Sequence, residues 1–364
     1  MSFQIKELDN SEINEVVSLH NFNYGDKRTP KQWIWEYKSI YPDLFVFTVI
    51  KDKDRVVGTQ GMIPVYLHIK AKTYLTGKSE NSLLDPKYRG RTLFKKLYAF
   101  AMSICKLKKM CYIWGFTSAT KVWRNKLGFS VYEDIMYTSI LILNPRQFIS
   151  SIRKSKQVII KKITKSFLVI LLYLYSSVRR FIMDARRYFK SSPGKYLIEH
   201  KLRSINDIDK LYKRLRSKYA DLIHIEQDEN YINWRILKNP NIKYIIYFIY
   251  EENILKGYCY IALGTKNEAH LSDLTFENND VGNFLLKTIL DQLHGKKITI
   301  IDFMGNIENP LIATTFNLLK KHGFIKRGQF SPFVLKNISY KNEEQLENIK
   351  NWYLNGLWTE GYQI

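Results

Sequence analysis

The chain lacks the residues that several large classes of protein require. Its 364 residues include three cysteines, Cys105, Cys111 and Cys259, and their spacing fits no metal site. We therefore expect small buried thiols, no metal cofactor and a reducing compartment. Residues 1–8 alternate polar and apolar side chains and do not resemble a secretory signal, so we expect the protein in the cytoplasm.

A long apolar run is also missing. The run Phe167–Tyr175 has nine residues, too few for a helix to cross a hydrocarbon layer about 30 Å thick. Extending the run meets Arg179 and Arg180. The sequence thus predicts no membrane-spanning helix here.

Acidic residues are scarce, with 34 Asp and Glu against 57 Lys and Arg, which gives a net charge of +23. Between residues 146 and 195 there are thirteen basic residues and a single acid, Asp184. This basic insert has three readings: a helical linker that packs on the domains, an interfacial helix on the anionic face of a membrane, or a nucleic-acid site. We rank them in that order, although composition alone does not separate them.

The most informative segment is the loop Asp85-Pro86-Lys87-Tyr88-Arg89-Gly90-Arg91-Thr92-Leu93-Phe94. A strand-like approach ends at its proline turn, and a helix-like run from Leu93 to Leu107 follows it. Free N–H groups at a helix N-terminus form a cradle for phosphate oxygens, and a glycine lets the phosphate approach the main chain. Arg89 and Arg91 would add positive charge. The loop thus predicts a diphosphate site.

This loop and the later Lys126-Leu127-Gly128-Phe129 resemble the acyl-CoA loop and a following helix end of the GNAT superfamily of N-acetyltransferases. The resemblance implies a mixed α/β fold, with a mostly antiparallel sheet and helices on both faces. It also implies acetyl-CoA as co-substrate. The residues that it assigns to coenzyme binding are Leu83, Leu84, Arg89, Gly90, Arg91, Thr92, Leu93, Ser118 and Arg124.

Two of these residues depart from the family pattern. Thr92 stands where the family usually has Gly or Ala, and it brings a methyl and a hydroxyl group near the phosphates. Arg124 stands where the family often has a tyrosine acid. An arginine does not donate a proton at neutral pH, but it can bind phosphates or an anionic substrate.

For catalysis the resemblance implies a carboxylate base on the strand that leads to the loop, and Glu80 is the carboxylate on that strand here. Strand alternation predicts that Glu80 shares a face with Lys78 and Ser82. Glu80 would then either project into a cleft or pair with Lys78. Tyr132 is the nearest candidate for the acid, and water is the alternative proton donor.

The chain also repeats itself. Trp35 precedes Gly58 by 23 residues, and Trp234 precedes Gly257 by 23 residues. Gly282 echoes Gly90, but its loop has no arginine and carries an acid. We therefore predict a coenzyme-binding GNAT domain over 1–145, a basic amphipathic helical insert over 146–200, and a degenerate GNAT-like domain over 201–364 that binds no coenzyme.

We expect an acetyl-CoA-dependent N-acyltransferase whose acceptor is an amine, either a small molecule or lipid-linked. Similarity to tandem GNAT proteins of bacterial surface-polysaccharide pathways implies an amino sugar. The basic insert would place the protein peripherally on the inner face of the cell membrane, with nucleic acid a less favoured partner. Two alternatives stay open: a non-catalytic scaffold of the same fold, and a Fem-like tRNA-dependent aminoacyltransferase.

Overall fold

The computed structural model describes residues 3–70, 72–90, 92–145, 147–148, 195–264, 267–339 and 344–359. They form two compact units, each built from separate stretches of chain. The first comprises Met1–Ile135, Ala220–Asn241 and Ser331–Trp352; the second comprises Met136–Tyr219, Ile242–Phe330 and Tyr353–Ile364. Most of the basic insert lies outside the described residues, so its helical structure stays a prediction.

The first unit contains one sheet with helices beside it. Its strands are β1 Phe3–Glu7, β2 Val46–Asp52, β3 Arg55–Ile69, β4 Lys72–Leu84, β5 Tyr112–Phe116, β6 Ser130–Tyr132, β9 Ile223–Ile225 and β15 Phe333–Asn337. Its helices are α1 Ile13–Tyr24, α2 Pro30–Lys38, α3 Leu93–Leu107, α4 Thr120–Leu127, α6 Glu229–Ile232 and α9 Glu344–Glu347, and α6 continues as a π-helical turn over Asn233–Leu237. The strand order is β1-β2-β3-β4-β5-β15-β6, with β9 paired to β3.

Helices cover both faces of this sheet. Val46 belongs to the cluster that packs around α3, whereas its neighbour Phe47 contacts the rings of Trp33 and Tyr37 in α2. Successive strand residues point to opposite faces, so α2 and α3 lie on opposite sides. The helix-like run predicted from Leu93 to Leu107 is confirmed, since α3 spans these residues.

The second unit repeats this plan. Its strands are β7 Met136–Ile142, β8 Leu197–Glu199, β10 Lys243–Glu251, β11 Ile254–Leu263, β12 Glu268–Phe276, β13 Ile300–Asn306 and β14 Ile325–Gln329. Its helices are α5 Asn206–Lys218, α7 Asn279–Gly295 and α8 Pro310–Lys321. The strand order is β14-β7-β13-β12-β11-β10-β8. One pair in each sheet is parallel, β4 with β5 and β12 with β13, and the other described pairs are antiparallel.

The two sheets exchange strands. β7 follows β6 along the chain but lies between β13 and β14 in the second sheet. β15 follows β14 but lies between β5 and β6 in the first sheet. The predicted mixed α/β fold, with two mostly antiparallel sheets, is confirmed, and the exchange explains why each unit is discontinuous in sequence. Within the described ranges, no helix is long and apolar enough to cross a membrane.

Candidate active site

The predicted phosphate loop joins the end of β4 to the start of α3. Leu84, at the strand end, and Leu93, at the helix start, are buried in one apolar cluster with Leu97. Asp85 caps the turn Pro86–Tyr88, since its side chain accepts a hydrogen bond of 3.0 Å from the N–H of Lys87. Both ends of the loop are therefore fixed, while its tip is exposed.

The tip leaves the start of α3 open to an anion. Gly90 has a φ of +83°, and a Cβ placed there would meet nothing within 4 Å. Thr92 is the N-cap with a φ of +59°, and its side chain makes no capping hydrogen bond. The first hydrogen bond within α3 runs from the N–H of Lys96 to the carbonyl of Thr92. The three amides at Leu93, Phe94 and Lys95 therefore have no carbonyl partner within the helix. Arg91, assigned to this cradle from the sequence, lies outside the described residues.

Arg89 is exposed at the edge of the loop. Its Nε lies 3.4 Å from the carbonyl oxygen of Leu84. The open amides, the positive φ at Gly90 and this guanidinium suit a bound diphosphate. The donor set thus fits the coenzyme that the sequence predicts.

The matching helix start in the second unit is closed. The side chain of Asn278 accepts hydrogen bonds of 3.1 Å from the N–H groups of Asp280 and Val281 at the start of α7. A Cβ at Gly282 would lie 2.9 Å from the Cδ2 atom of Leu318. The amides at the start of α7 therefore do not form an open anion-binding site.

β4 and β5 separate beside the loop. Their parallel pairing runs from Thr76 with Tyr112 to Lys78 with Trp114, whereas β4 continues to Leu84. Past Lys78, β4 stays paired only with β3. The edge of β4 that would face β5 therefore leads from the sheet interior to the phosphate loop.

A bulge in β4 lies along this edge. Asn81 has a φ of +51°, and the register against β3 shifts at Gln60. The buried amide of Gln60 donates a hydrogen bond of 3.0 Å to the hydroxyl of Ser79 and accepts one of 2.5 Å from the hydroxyl of Ser82. Tyr98 of α3 also donates to Ser79, at 2.9 Å. Sequence reasoning missed this network, because strand periodicity does not reveal a bulge.

The bulge also corrects one expectation. Ser82 was predicted to share a face with Glu80, but the extra residue breaks the alternation. Ser82 bonds the same amide as Ser79 and so lies on the α3 side. Glu80 is paired in register with Gly61, whose Cβ would point at Tyr37, and so lies on the α2 side.

Glu80 pairs with Lys78. Their side chains form an ion pair, and they are 12% and 7% exposed. Both therefore lie largely out of bulk water at the point where β4 leaves β5. The sequence allowed either a cleft position or this pairing, and the structure shows the pairing.

Tyr132 lies on the same face but at another strand. It lies three strands from β4, which at about 4.8 Å a strand is on the order of 14 Å from Glu80. Its hydroxyl donates a hydrogen bond of 2.9 Å to the backbone carbonyl of Glu347. Burial, followed by the charge of Glu347, raises the pKa of Tyr132. The two nominated catalytic groups are thus not brought together.

The other sequence candidates lie at the surface. Ser118 is exposed in the turn between β5 and α4. Arg124 is exposed on α4 and forms a 3.0 Å ion pair with Glu133. Their coenzyme-binding roles stay predictions.

A largely buried aromatic cluster extends from the Lys78–Glu80 pair, with Trp114 and Phe333 completely buried. The rings of Trp114 and Phe333 are 6.3 Å apart, and Phe333 lies 5.5 Å from Phe116 and 6.2 Å from Tyr132. Phe333 belongs to the exchanged strand β15, so its place beside β5 could not be read from the sequence.

These features agree with one known family of domains. The first unit combines a separated parallel strand pair with an open phosphate loop, and residues 4–131 match a family model described as an acetyltransferase (GNAT) domain. The first unit thus carries the match to a GNAT domain model that the resemblance implied. A search among curated proteins finds no match to the sequence.

Solved structures extend the comparison to the whole chain. A tandem GNAT protein from the clavulanic acid biosynthesis pathway matches with a TM-score of 0.55 and 12% identity, over 94% of this chain and 100% of that chain. A GCN5-related N-acetyltransferase from Kribbella flavida matches with a TM-score of 0.59 and 9% identity, over 93% and 72%. A probable N-acyltransferase from Enterococcus faecalis V583 matches with a TM-score of 0.61 and 8% identity, over 93% and 73%. The chain has the fold of tandem GNAT proteins.

Proposed function

We propose that the first unit is an acyl-CoA-dependent N-acyltransferase that transfers an acetyl or short acyl group to an amine. The observation that carries the proposal is the open start of α3. Its first amides are left without a side-chain cap from Thr92, beside a glycine with positive φ and an arginine. A diphosphate bound there would accept several charge-assisted hydrogen bonds from the main chain.

The acyl-bearing arm of the coenzyme has a natural course from this loop. The edge of β4 past Lys78 presents backbone N–H and C=O groups on the side that β5 leaves. Pantetheine carries amide groups that can pair with such an edge, as an extended peptide does. This course would bring the thioester towards the Lys78–Glu80 pair.

In the reaction, the amine nitrogen bonds to the thioester carbon, the carbon–sulfur bond breaks, and the amine loses a proton while the thiolate gains one. Glu80 would take the proton from the incoming ammonium group. The ammonium of Lys78 forms an ion pair with this carboxylate and would hold it in position. Water is the proposed proton donor to the thiolate, because the Tyr132 hydroxyl lies three strands from β4 and donates to the backbone carbonyl of Glu347.

For the acceptor we propose an amino sugar of a cell-surface polysaccharide precursor, free or lipid-linked. The partly buried ring of Phe116 supports this choice, because aromatic rings offer flat apolar faces with few rotamers. A lipid-linked acceptor would be met in the cytoplasm at the inner membrane surface, where the basic insert would bind anionic lipid.

Titration calorimetry with acetyl-CoA and with free CoA tests the coenzyme assignment. We expect micromolar binding of one acetyl-CoA per chain. Absence of binding at millimolar concentration would contradict the proposal and leave the scaffold alternative. Binding of aminoacyl-tRNA in place of acetyl-CoA would favour the Fem-like alternative.

Substitutions at Gly90 locate that binding. Gly90→Asp should weaken acetyl-CoA binding about 100-fold or more, because it places a negative charge in the cradle. Gly90→Asn has a similar shape and the same backbone strain without the charge, so it should retain most of the affinity. Gly25→Asp is the matched control, since Gly25 also has a positive φ, +70°, and open space around it. Equal losses for Gly90→Asp and Gly25→Asp would place the coenzyme elsewhere.

A further inference from the structure

The second unit has its own separated strand pair. β12 and β13 pair in parallel from Glu268 with Ile300 to Leu271 with Phe303. β12 then continues to Phe276 and β13 to Asn306 without further pairing to each other. This gap corresponds to the one between β4 and β5 in the first unit.

Residues Tyr353–Thr359, here called the crevice segment, lie between these two strands. On the β13 side, Asn355 forms an antiparallel bridge with Gly305, and the N–H of Asn306 donates a hydrogen bond of 2.9 Å to the carbonyl of Leu354. The segment thus extends the backbone pairing of β13 into the gap.

On the β12 side, the hydroxyl group of Tyr353 supplies hydrogen bonds. The hydroxyl of Tyr353 donates at 3.2 Å to the carboxylate of Asp273 and lies 3.2 Å from the backbone carbonyl of Leu274. It also lies 2.9 Å from the hydroxyl of Thr275. The crevice segment therefore contacts both separated strands.

The crevice segment is as buried as the core. Tyr353 and Asn355 are each 1% exposed, Leu354 is fully buried, and Trp358 is 2% exposed. The side chain of Asn355 accepts a hydrogen bond of 3.0 Å from Leu357 N–H, which fixes the turn within the segment. A surface strand laid over the unit would leave one side in water, and this segment does not.

We infer that the crevice segment is an intramolecular ligand of the second unit, seated where an acyl-pantetheine arm would otherwise lie. The inference rests on the proposed function, which places that arm beside β4 in the first unit. Peptide groups replace the amides of pantetheine in pairing with the strand edge. The closed start of α7 at Asn278 agrees, because the phosphate end of this crevice is also blocked.

Amide hydrogen exchange on the full chain tests the seating directly. If the crevice segment is seated in solution, the amide of Asn306 exchanges as slowly as the ladder amides of β11. Exchange of Asn306 about 100-fold faster than those amides would overturn the inference, because the carbonyl of Leu354 would then not hold it.

A ligand experiment tests what the segment replaces. The full chain is first saturated with acetyl-CoA and then titrated with S-acetylpantetheine, which lacks the diphosphate. Wild type should show no second binding event. Trp358→Ala should loosen the segment and show a second binding event at about 1 mM probe, a concentration at which wild type shows none. No gain of binding, with β10 and β11 still protected from exchange, would overturn the inference.

Two safeguards keep the outcomes separate. If Trp358→Ala unfolds the second sheet, the Tyr353→Phe variant is titrated in the same way. This variant removes only the hydroxyl contacts of the segment. If wild type binds no acetyl-CoA at all, the proposed function fails, while the exchange of the Asn306 amide still decides whether the segment is seated.

Discussion

The same helix start occurs twice in this chain, and the two copies are capped differently. At α3, the side chain of Thr92 does not cap the first amides, and there is open space around Gly90. At α7, the side chain of Asn278 takes two amides, and Gly282 is packed against Phe276 and Leu318. A helix N-terminus is therefore a binding site only where its own cap does not fill it.

The two glycines consequently have different tasks. Gly90 serves conformation and access, because its φ is positive and its surroundings are empty. Gly282 serves packing, because a Cβ there would lie 2.9 Å from the side chain of Leu318 and 3.0 Å from that of Phe276. An acidic residue at Gly90 should abolish ligand binding, whereas an acidic residue at Gly282 should destabilise the fold of the second unit.

The largest expected effect follows from this difference. On the sequence alone, Gly282→Asp is the natural control for Gly90→Asp and should leave binding unaltered. In the structure, the new Cβ would lie 2.9 Å from Leu318 and 3.0 Å from Phe276, and a carboxylate would enter an apolar contact. We expect a loss of about 3–5 kcal/mol in the free energy of unfolding of the second unit.

Chemical denaturation followed by exchange of the second-sheet amides measures this loss. Gly90→Asp, at an exposed position, should cost at most about 1 kcal/mol in the same measurement, because aspartate tolerates a positive φ better than most residues. Similar stability losses for the two variants would break the distinction between an access glycine and a packing glycine.

Much of this comparison was visible in the sequence. The loop, its glycine and the acid in the second copy are local patterns, and they predicted the cradle and its degenerate partner. The exchange of β7 and β15 was not visible, because pairing between distant strands leaves no local pattern. It is this exchange that brings Phe333 to the first sheet.

The candidate catalytic groups show the same limit. Glu80 was found from its place on the strand before the loop, and its pairing with Lys78 was foreseen as one of two options. The side of Ser82 was predicted wrongly, since one extra residue at Asn81 reverses every later side chain of β4. A bulge depends on a partner strand and on a buried amide, here Gln60, and neither is encoded nearby in the sequence.

Gln60 offers a test of intermediate size. Gln60→Met keeps the length of the side chain but removes the amide, so the hydroxyls of Ser79 and Ser82 lose a partner inside the protein. We expect a cost of about 1–3 kcal/mol in stability. Because the bulge shapes the edge of β4, acetyl-CoA affinity should also fall about tenfold.

A matched variant separates these two effects. Thr48→Val removes a buried hydroxyl that contacts the carbonyl of Gln60 on β3, away from the β4 edge, at 3.3 Å. It should lower stability without lowering affinity in calorimetry. If Gln60→Met lowers stability and leaves affinity within about twofold, the bulge has no part in coenzyme binding.

The smallest expected effect concerns Thr92 itself, the residue that departs from the GNAT pattern. Its φ of +59° is a left-handed conformation that costs a β-branched residue about 1–2 kcal/mol. Glycine removes that cost but gives the unfolded chain more freedom, so Thr92→Gly should raise the free energy of unfolding by about 0.5–1 kcal/mol. Acetyl-CoA affinity should be equal or slightly higher, because the exposed side chain leaves the cradle while the amides stay. A higher melting temperature with unchanged affinity would show that Thr92 has a strained backbone conformation and takes no part in coenzyme binding. A clear loss of affinity would instead show that its hydroxyl binds the coenzyme, and the difference between the two helix starts would then include a side-chain ligand at the first.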